Sequence, residues 1–364
     1  MPWPLLAVLA VQAALSAGLV RDRTAFGDEA LYLSAGHLEW SHWLHGTQIP
    51  DYPTWFSGAP VIYPPVGAIA DSLGGLAAAR LLSLLFMLGV TCFLWSTAAR
   101  LLADKRAAFF AAALFALLAP TLHLGSYATY DAPALLLLAA ATWCASGPRG
   151  SEHAARRMIA AGILLALANA TKYATTLFDP TVLSVALLST WAAAGWREAV
   201  RRAALAAAAA TAVLGALLAL GGSGYLAGIR VTTTGRPHGT DTAALVLTDA
   251  WSWTAVVLVP ALIAVAVCAA RRRWTQALLL AVLALSALLA PADQARIQTT
   301  VSLNKHVDFG AWFAAIAAGY LLSLVSRRRV VLAGALAALI PVTTVGVAQA
   351  RAMVDWPDVS GLVP

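Results

Sequence analysis

The sequence predicts an all-α polytopic membrane protein with about 11 transmembrane helices, and three observations carry that prediction. Of its 364 residues, 60% are hydrophobic and only 11% charged, more apolar surface than one or two soluble cores hide. The apolar residues form long runs without period-2 alternation, and a helix needs ~20 such residues to cross a bilayer. The basic residues fall in short clusters between the runs, the pattern that orients membrane helices. The net charge of +7 is therefore read as a topology signal and not as a nucleic-acid surface.

In chain order, the candidate spans lie near 3–20, 77–99, 107–123, 131–146, 158–172, 180–196, 203–221, 253–270, 275–291, 309–325 and 330–348. The first is read as a span and not a cleaved signal, because no basic region precedes it. Basic triplets alternate with the runs: Arg100/Lys105/Arg106, Arg149/Arg156/Arg157, Arg197/Arg201/Arg202, Arg271–Arg273 and Arg327–Arg329. Placing all five inside gives a cytoplasmic N-terminus and an outer C-terminus in a plasma membrane. The whole chain, 1–364, reads as one integral membrane domain, with outer loops at 21–76, 124–130, 173–179, 221–252 and 292–308. Gly221–Gly224 reads as flexible loop, since no Lys-Ser/Thr follows to make a phosphate loop. Cys92, Cys144 and Cys268 fall inside apolar runs and read as small core residues.

The first outer loop, with interfacial helices, is the longest polar interruption. It opens on Phe26-Gly27-Asp28-Glu29-Ala30-Leu31-Tyr32 and closes on Tyr63-Pro64-Pro65. A helix starting there puts Asp28, Tyr32, Glu39 and Trp43 on one stripe, with Glu29 about 100° away. The two acids suit acid–base chemistry; equally, Asp28 suits an N-cap and Glu29 a first helical turn. Trp40, Trp43, His42 and His45 suit a helix lying at headgroup level. Asp131, between Tyr130 and Pro133, sits at the mouth of a span, where an ionisable residue marks a functional position or a helix start. Asp28 and Asp131 open helices on one face and could meet at one cation or one hydroxyl. Lys172, Arg230, Arg236, Lys305 and His306 put positive charge on outer loops, where it is least expected. A phosphate ligand accounts for them, as does pairing with Asp179, Asp241 or Asp308. His37, His42, His45 and His123 have no metal spacing and read as surface or interface residues. The interiors of the spans are nearly free of charge, unlike a transporter or lipid flippase, the alternative reading.

The ordered set Asp28-Glu29-Ala30-Leu31-Tyr32, Tyr63-Pro64-Pro65-Val66, Tyr130-Asp131-Ala132-Pro133, Ala170-Thr171-Lys172-Tyr173 and Lys305-His306-Val307-Asp308-Phe309-Gly310 resembles the GT-C superfamily of membrane glycosyltransferases. The similarity is greatest to the branch of protein O-mannosyltransferases and lipid A aminoarabinose transferases. The resemblance implies a GT-C fold and an inverting transfer of one hexose or pentose from a polyprenyl-phosphate carrier on the non-cytoplasmic face of a bacterial cell envelope. It implies Asp28 as general base, with Glu29 beside it. Asp131 would orient the acceptor or, with Asp28, hold a divalent cation (Mg, Mn or Zn). Tyr32, Tyr63, Tyr130, Lys172, Arg230, Arg236, Lys305 and His306 would bind substrate. The acceptor stays open between a glycan, a lipid, a protein and a small molecule.

Overall fold

Every regular element in the computed structural model is helical, among the residues it describes: 2–20, 24–147, 153–326 and 329–356. Arg149, Arg327 and Arg328, counted above in two of the predicted inner loops, lie outside those residues.

The first apolar run forms α1 (Trp3–Ala17). The polar interruption folds into α2 (Gly27–His45) and, after a short 3-10 turn, the first part of α3 (Tyr63–Leu102). α3 breaks at Gly74 and Gly75, the latter with φ +66°, a conformation open to glycine and strained for other residues. The segment before the break belongs to the outer loop, and the segment after it is the predicted second span. The predicted third span is two helices, α4 (Lys105–Ala116) and α5 (Ala119–Leu124), because Pro120 in the first turn of α5 cannot continue a helix from α4.

There follow α6 (Asp131–Ala145), α7 (Ala154–Thr171), α8 (Asp179–Ala194) and α9 (Trp196–Thr232). Gly221–Gly224 is not loop: it is the kinked upper part of α9, with the break at Gly222 (φ +70°). The loop predicted over 221–252 therefore shrinks to the ten residues before α10 (Ala243–Ala270). α11 (Trp274–Leu285) and α12 (Leu289–Arg296) share one apolar run, followed by α13 (Leu303–Val325), α14 (Arg329–Ala337) and α15 (Leu339–Met353). Six helical stretches are long and apolar enough to cross a membrane, with Trp3–Ala17 and Asp131–Ala145 as shorter apolar helices. Helices underlie all eleven predicted runs, but a count of eleven spans is not established.

α13 is the axis. In its apolar stretch 83% of residues are buried, against 11% for α9 on the periphery. Ala311 through Ala318 are fully buried with Trp312 and Phe313 among them. Small residues let the backbones approach: a Cβ on Gly310 would meet Ser286 O at 2.3 Å, and one on Gly319 would meet Ala107 O at 2.4 Å. In lipid, where apolar side chains gain nothing by leaving the solvent, such close packing holds helices together. The start of α13 stands beside the loop predicted over 21–76, where Asp28 lies.

Candidate active site

α2 begins as the sequence suggests, but its two acids part company. Glu29 is fully buried and meets Arg80 in a two-pronged contact, Nε to Oε1 at 2.8 Å and Nη2 to Oε2 at 2.7 Å. It also accepts from Ala128 N (2.9 Å) and, closing the helix end, from Phe26 N (3.0 Å). Four donors occupy its two oxygens, so Glu29 fastens α2 to α3 and to the 124–130 loop. Arg80 is the partner that sequence reasoning missed. It lies inside the second apolar run yet is 3% exposed, so the spans are less free of charge than they read; an intramembrane arginine was the signal.

Asp28, one residue earlier, faces elsewhere. Its Oδ2 accepts from Lys305 Nζ at 2.6 Å, and the carboxylate is 35% exposed. It lines a cavity of about 340 Å³ together with Phe26, His123, Tyr127, Lys305 and Trp356. Lys305 stands 5.6 Å from the centre of the Tyr127 ring, within cation–π reach.

Asp131 opens α6 and is enclosed, pairing with Lys172 and accepting from Thr129 Oγ1 at 2.9 Å. Lys172, one residue beyond α7, is 2% exposed and stands 4.7 Å from the centre of the Tyr130 ring. Its backbone is braced by the first loop: Ala59 N donates to Ala170 O (2.7 Å) and Tyr173 N to Ser57 O (2.9 Å). Tyr32 packs on Tyr130 at 4.5 Å and on Tyr63 at 6.5 Å between ring centres. Burial, followed by the neighbouring Tyr130 and Asp28, pushes the Tyr32 hydroxyl well above its ordinary range. Burial and Asp131 push Tyr130 up to about 12. Both phenols stay neutral and form the wall between the two lysine–aspartate pairs. Tyr63 is buried beneath Tyr32 as packing.

His306, next to Lys305, lines a second cavity of about 520 Å³ with Arg236, Gln294 and Tyr173 at its polar end and Leu214, Leu217 and Leu218 of α9 along its side. Gln294 Nε2 lies 2.7 Å from His306 Nδ1. With the amide as donor, the ring hydrogen is on Nε2, available to a ligand oxygen. Arg230, on α9, is not among the residues lining this cavity. Of the predicted cations the structure therefore gathers Lys172, Arg236, Lys305 and His306, and leaves Arg230 aside.

Among the described residues no three His, Cys, Asp or Glu side chains converge as a metal site. Each candidate carboxylate already has a lysine ammonium where a divalent ion would be held. A divalent ion at either carboxylate would have to displace that ammonium.

Residues 55–231 match the family described as dolichyl-phosphate-mannose-protein mannosyltransferase. No curated protein matches the sequence. Several solved structures share the fold. The oligosaccharyltransferase AglB from Archaeoglobus fulgidus, in complex with an inhibitory peptide and a dolichol-phosphate, is 15% identical with a TM-score of 0.61, covering 97% of this chain and 56% of that one. An oligosaccharyltransferase of the same organism in complex with Zn and sulfate is 19% identical with a TM-score of 0.57, covering 94% and 53%. ArnT from Cupriavidus metallidurans bound to undecaprenyl phosphate is 17% identical with a TM-score of 0.64, covering 93% and 63%. The chain spans a little over half the length of the archaeal enzymes it matches. It is a multi-pass membrane protein with the GT-C fold. Its sequence is similar to the protein mannosyltransferase family over residues 55–231, and its fold to that of ArnT.

Proposed function

We propose that this protein is a glycosyltransferase that moves one sugar, with inversion, from a polyprenyl-phosphate carrier to an acceptor hydroxyl at the non-cytoplasmic membrane face. The observation that carries the proposal is the pair Lys305-His306 at the start of α13. Two consecutive side chains line two different cavities, one holding the exposed carboxylate Asp28 and the other Arg236 and a leucine-lined flank. A displacement at an anomeric carbon needs nucleophile and leaving group on opposite sides of the sugar, and two cavities lined by consecutive side chains support that arrangement.

The leucine flank belongs to α9, the least buried long helix apart from the α14–α15 stretch, so a carrier chain can enter from the bilayer with its phosphate toward Arg236 and His306. Arginine offers that phosphate two parallel donors, and His306 Nε2–H a third. In the other cavity the acceptor oxygen attacks the anomeric carbon while Asp28 takes its proton. The carbon–oxygen bond to the carrier breaks, and its electron pair leaves with the phosphate. Lys305 holds the Asp28 carboxylate in place, and the negative charge that develops on the departing phosphate is met by Arg236 and His306. Asp131 and Lys172, enclosed behind Tyr130, act as positioning residues. The basic clusters support a cytoplasmic N-terminus and the site outside, where a lipid-linked donor replaces a nucleotide sugar.

Packing supports transfer over transport: between the two cavities and the far end of the bundle, α13 and its neighbours are filled by Phe110, Phe115, Trp312 and Phe313. The test is turnover by purified protein with a panel of radiolabelled polyprenyl-phosphate sugars and mixed acceptors. Transfer that disappears with Asp28→Asn supports the reading; no turnover with any carrier-linked sugar sinks it.

A further inference from the structure

At the end of the bundle opposite Asp28, three hydrogen-bond donors converge on one carbonyl. Trp143 O receives Arg100 Nη1 at 3.2 Å, Arg157 Nη2 at 3.1 Å and Ser146 Oγ at 3.0 Å. A carbonyl has two lone pairs, so the site has more donors than acceptor capacity. Both guanidinium groups also lie over the Trp143 indole, at 3.9 and 5.5 Å from the ring centre. Two like charges share one aromatic ring, and among the described residues neither has a carboxylate within ion-pair distance. Beside them opens a cavity of about 570 Å³, rimmed by Arg100, Ser146, Ser189, Thr275 and Gln276 over a floor of leucines that includes Leu279.

Charge and polarity both lack an acidic partner here, and the place defines its kind. Arg100 is near the end of the 40-residue α3, some 30 Å along the helix from Arg80 at a rise of about 1.5 Å per residue, and so at the headgroup level of the other leaflet. We infer that this cavity binds the phosphate headgroup of an anionic lipid in the leaflet opposite the transfer site. Arg100 and the hydroxyl rim take the phosphate, Arg157 on the same indole adds a second positive charge, and the leucine floor takes the start of the lipid chains. Basic pockets between membrane helices on the cytoplasmic side are the usual seats of such headgroups, and arginine forks match phosphate oxygens in pairs.

The experiment is native mass spectrometry of the delipidated protein, with phosphatidylglycerol, phosphatidylcholine, undecaprenyl phosphate or inorganic phosphate added separately. Wild type is expected to retain phosphatidylglycerol, and the double variant Arg100→Gln/Arg157→Gln to retain it at least tenfold less, with phosphatidylcholine held weakly by both. Should the double variant fail to fold, Arg100→Lys/Arg157→Lys and a salt titration of wild type decide: retention must survive partly in the first and fall steeply in the second. Equal retention of phosphatidylcholine, or phosphatidylglycerol retention that ignores both arginines and salt, overturns the inference. Inorganic phosphate bound as well as the lipid would show a site for the ion alone and overturn the lipid claim. If undecaprenyl phosphate, and not phosphatidylglycerol, is what the Gln variants release, the lipid class is overturned in favour of the carrier. Asp28→Asn is expected to keep full phosphatidylglycerol retention, so this site and the transfer site stand or fall separately.

Discussion

Asp28 and Glu29 are neighbours in sequence and opposites in chemistry, and substitution separates them. Asp28 is partly exposed and held by one lysine, so Asp28→Asn is expected to lower the rate of transfer by about 10²–10⁴-fold, the usual worth of a positioned base, with little change in melting temperature. Glu29→Gln strips the charge partner from a buried arginine, which costs about 3–5 kcal/mol when one member of such a pair is removed; the expected signature is lost stability in detergent before any catalytic defect can be read. If the melting temperature of Glu29→Gln equals that of wild type, the fastening role given to Glu29 is wrong. Because lysines occupy the places beside Asp28 and Asp131, turnover is expected to persist in excess EDTA. Inhibition relieved by added Mg²⁺, Mn²⁺ or Zn²⁺ would return the carboxylates to metal ligands.

A third carboxylate gives a pH dependence. Asp179, at the start of α8, accepts from Asn169 Nδ2 at 2.8 Å, but burial raises it from 3.8 to about 6. The folded protein therefore holds a proton that the unfolded chain has released between those values, and this residue's contribution to stability declines as pH rises from about 4 to about 6. Asp179→Asn removes that decline. Its stability is expected to match wild type near pH 4 and to exceed it above pH 7 by on the order of 1–3 kcal/mol, read as a higher melting temperature. Parallel melting curves across that range would refute the assignment.

At the scale of elements, contact between α2 and α3 decides where Asp28 stands. A Cβ on Gly36 would lie 1.9 Å from Pro64 O, and Trp40 Nε1 donates to Pro65 O at 2.9 Å. Gly36→Ala must push the helices apart, for about 1–3 kcal/mol of overpacking strain, and is expected to lower turnover by displacing Asp28 from Lys305. Wild-type turnover in this variant would mean the first loop does not need that crossing. The crossing was half legible in the sequence. The acid-bearing start of α2 announced itself through local rules of capping, whereas Tyr63-Pro64-Pro65, where α3 begins, was read only as the close of a loop. The breaks at Leu117-Leu118 and Gly222 were harder, since an apolar run has the same composition whether its helix is straight or kinked. Arg80 was overlooked because a single charge near a span's end resembles a boundary; only the fold shows that it answers Glu29 across 51 residues of chain. The Lys305–Asp28 pair, 277 residues apart, was visible as two motifs and not as a contact, since nothing local joins them.

At the scale of the whole molecule, orientation binds the two proposed sites together. The basic clusters lie at the end that carries Arg100 and Lys105, and the acid-bearing loop at the end that carries Asp28. Basic residues resist translocation, so the first end should face the cytoplasm, leaving the transfer site to meet carrier-linked sugars outside and the arginine cavity to meet the anionic inner leaflet. His45 and Lys105 are both exposed, one at the end of α2 and one at the start of α4. The native cysteines are buried or half-buried, so they can be replaced by Ala or Ser to give a silent background. In that background a membrane-impermeant maleimide is expected to label His45→Cys in intact cells, and to label Lys105→Cys only after the membrane is opened. The reverse pattern would put Asp28 on the side where nucleotide sugars are made. A lipid-linked donor would then lose its rationale, even though the two-cavity geometry around Lys305-His306 would stand unchanged.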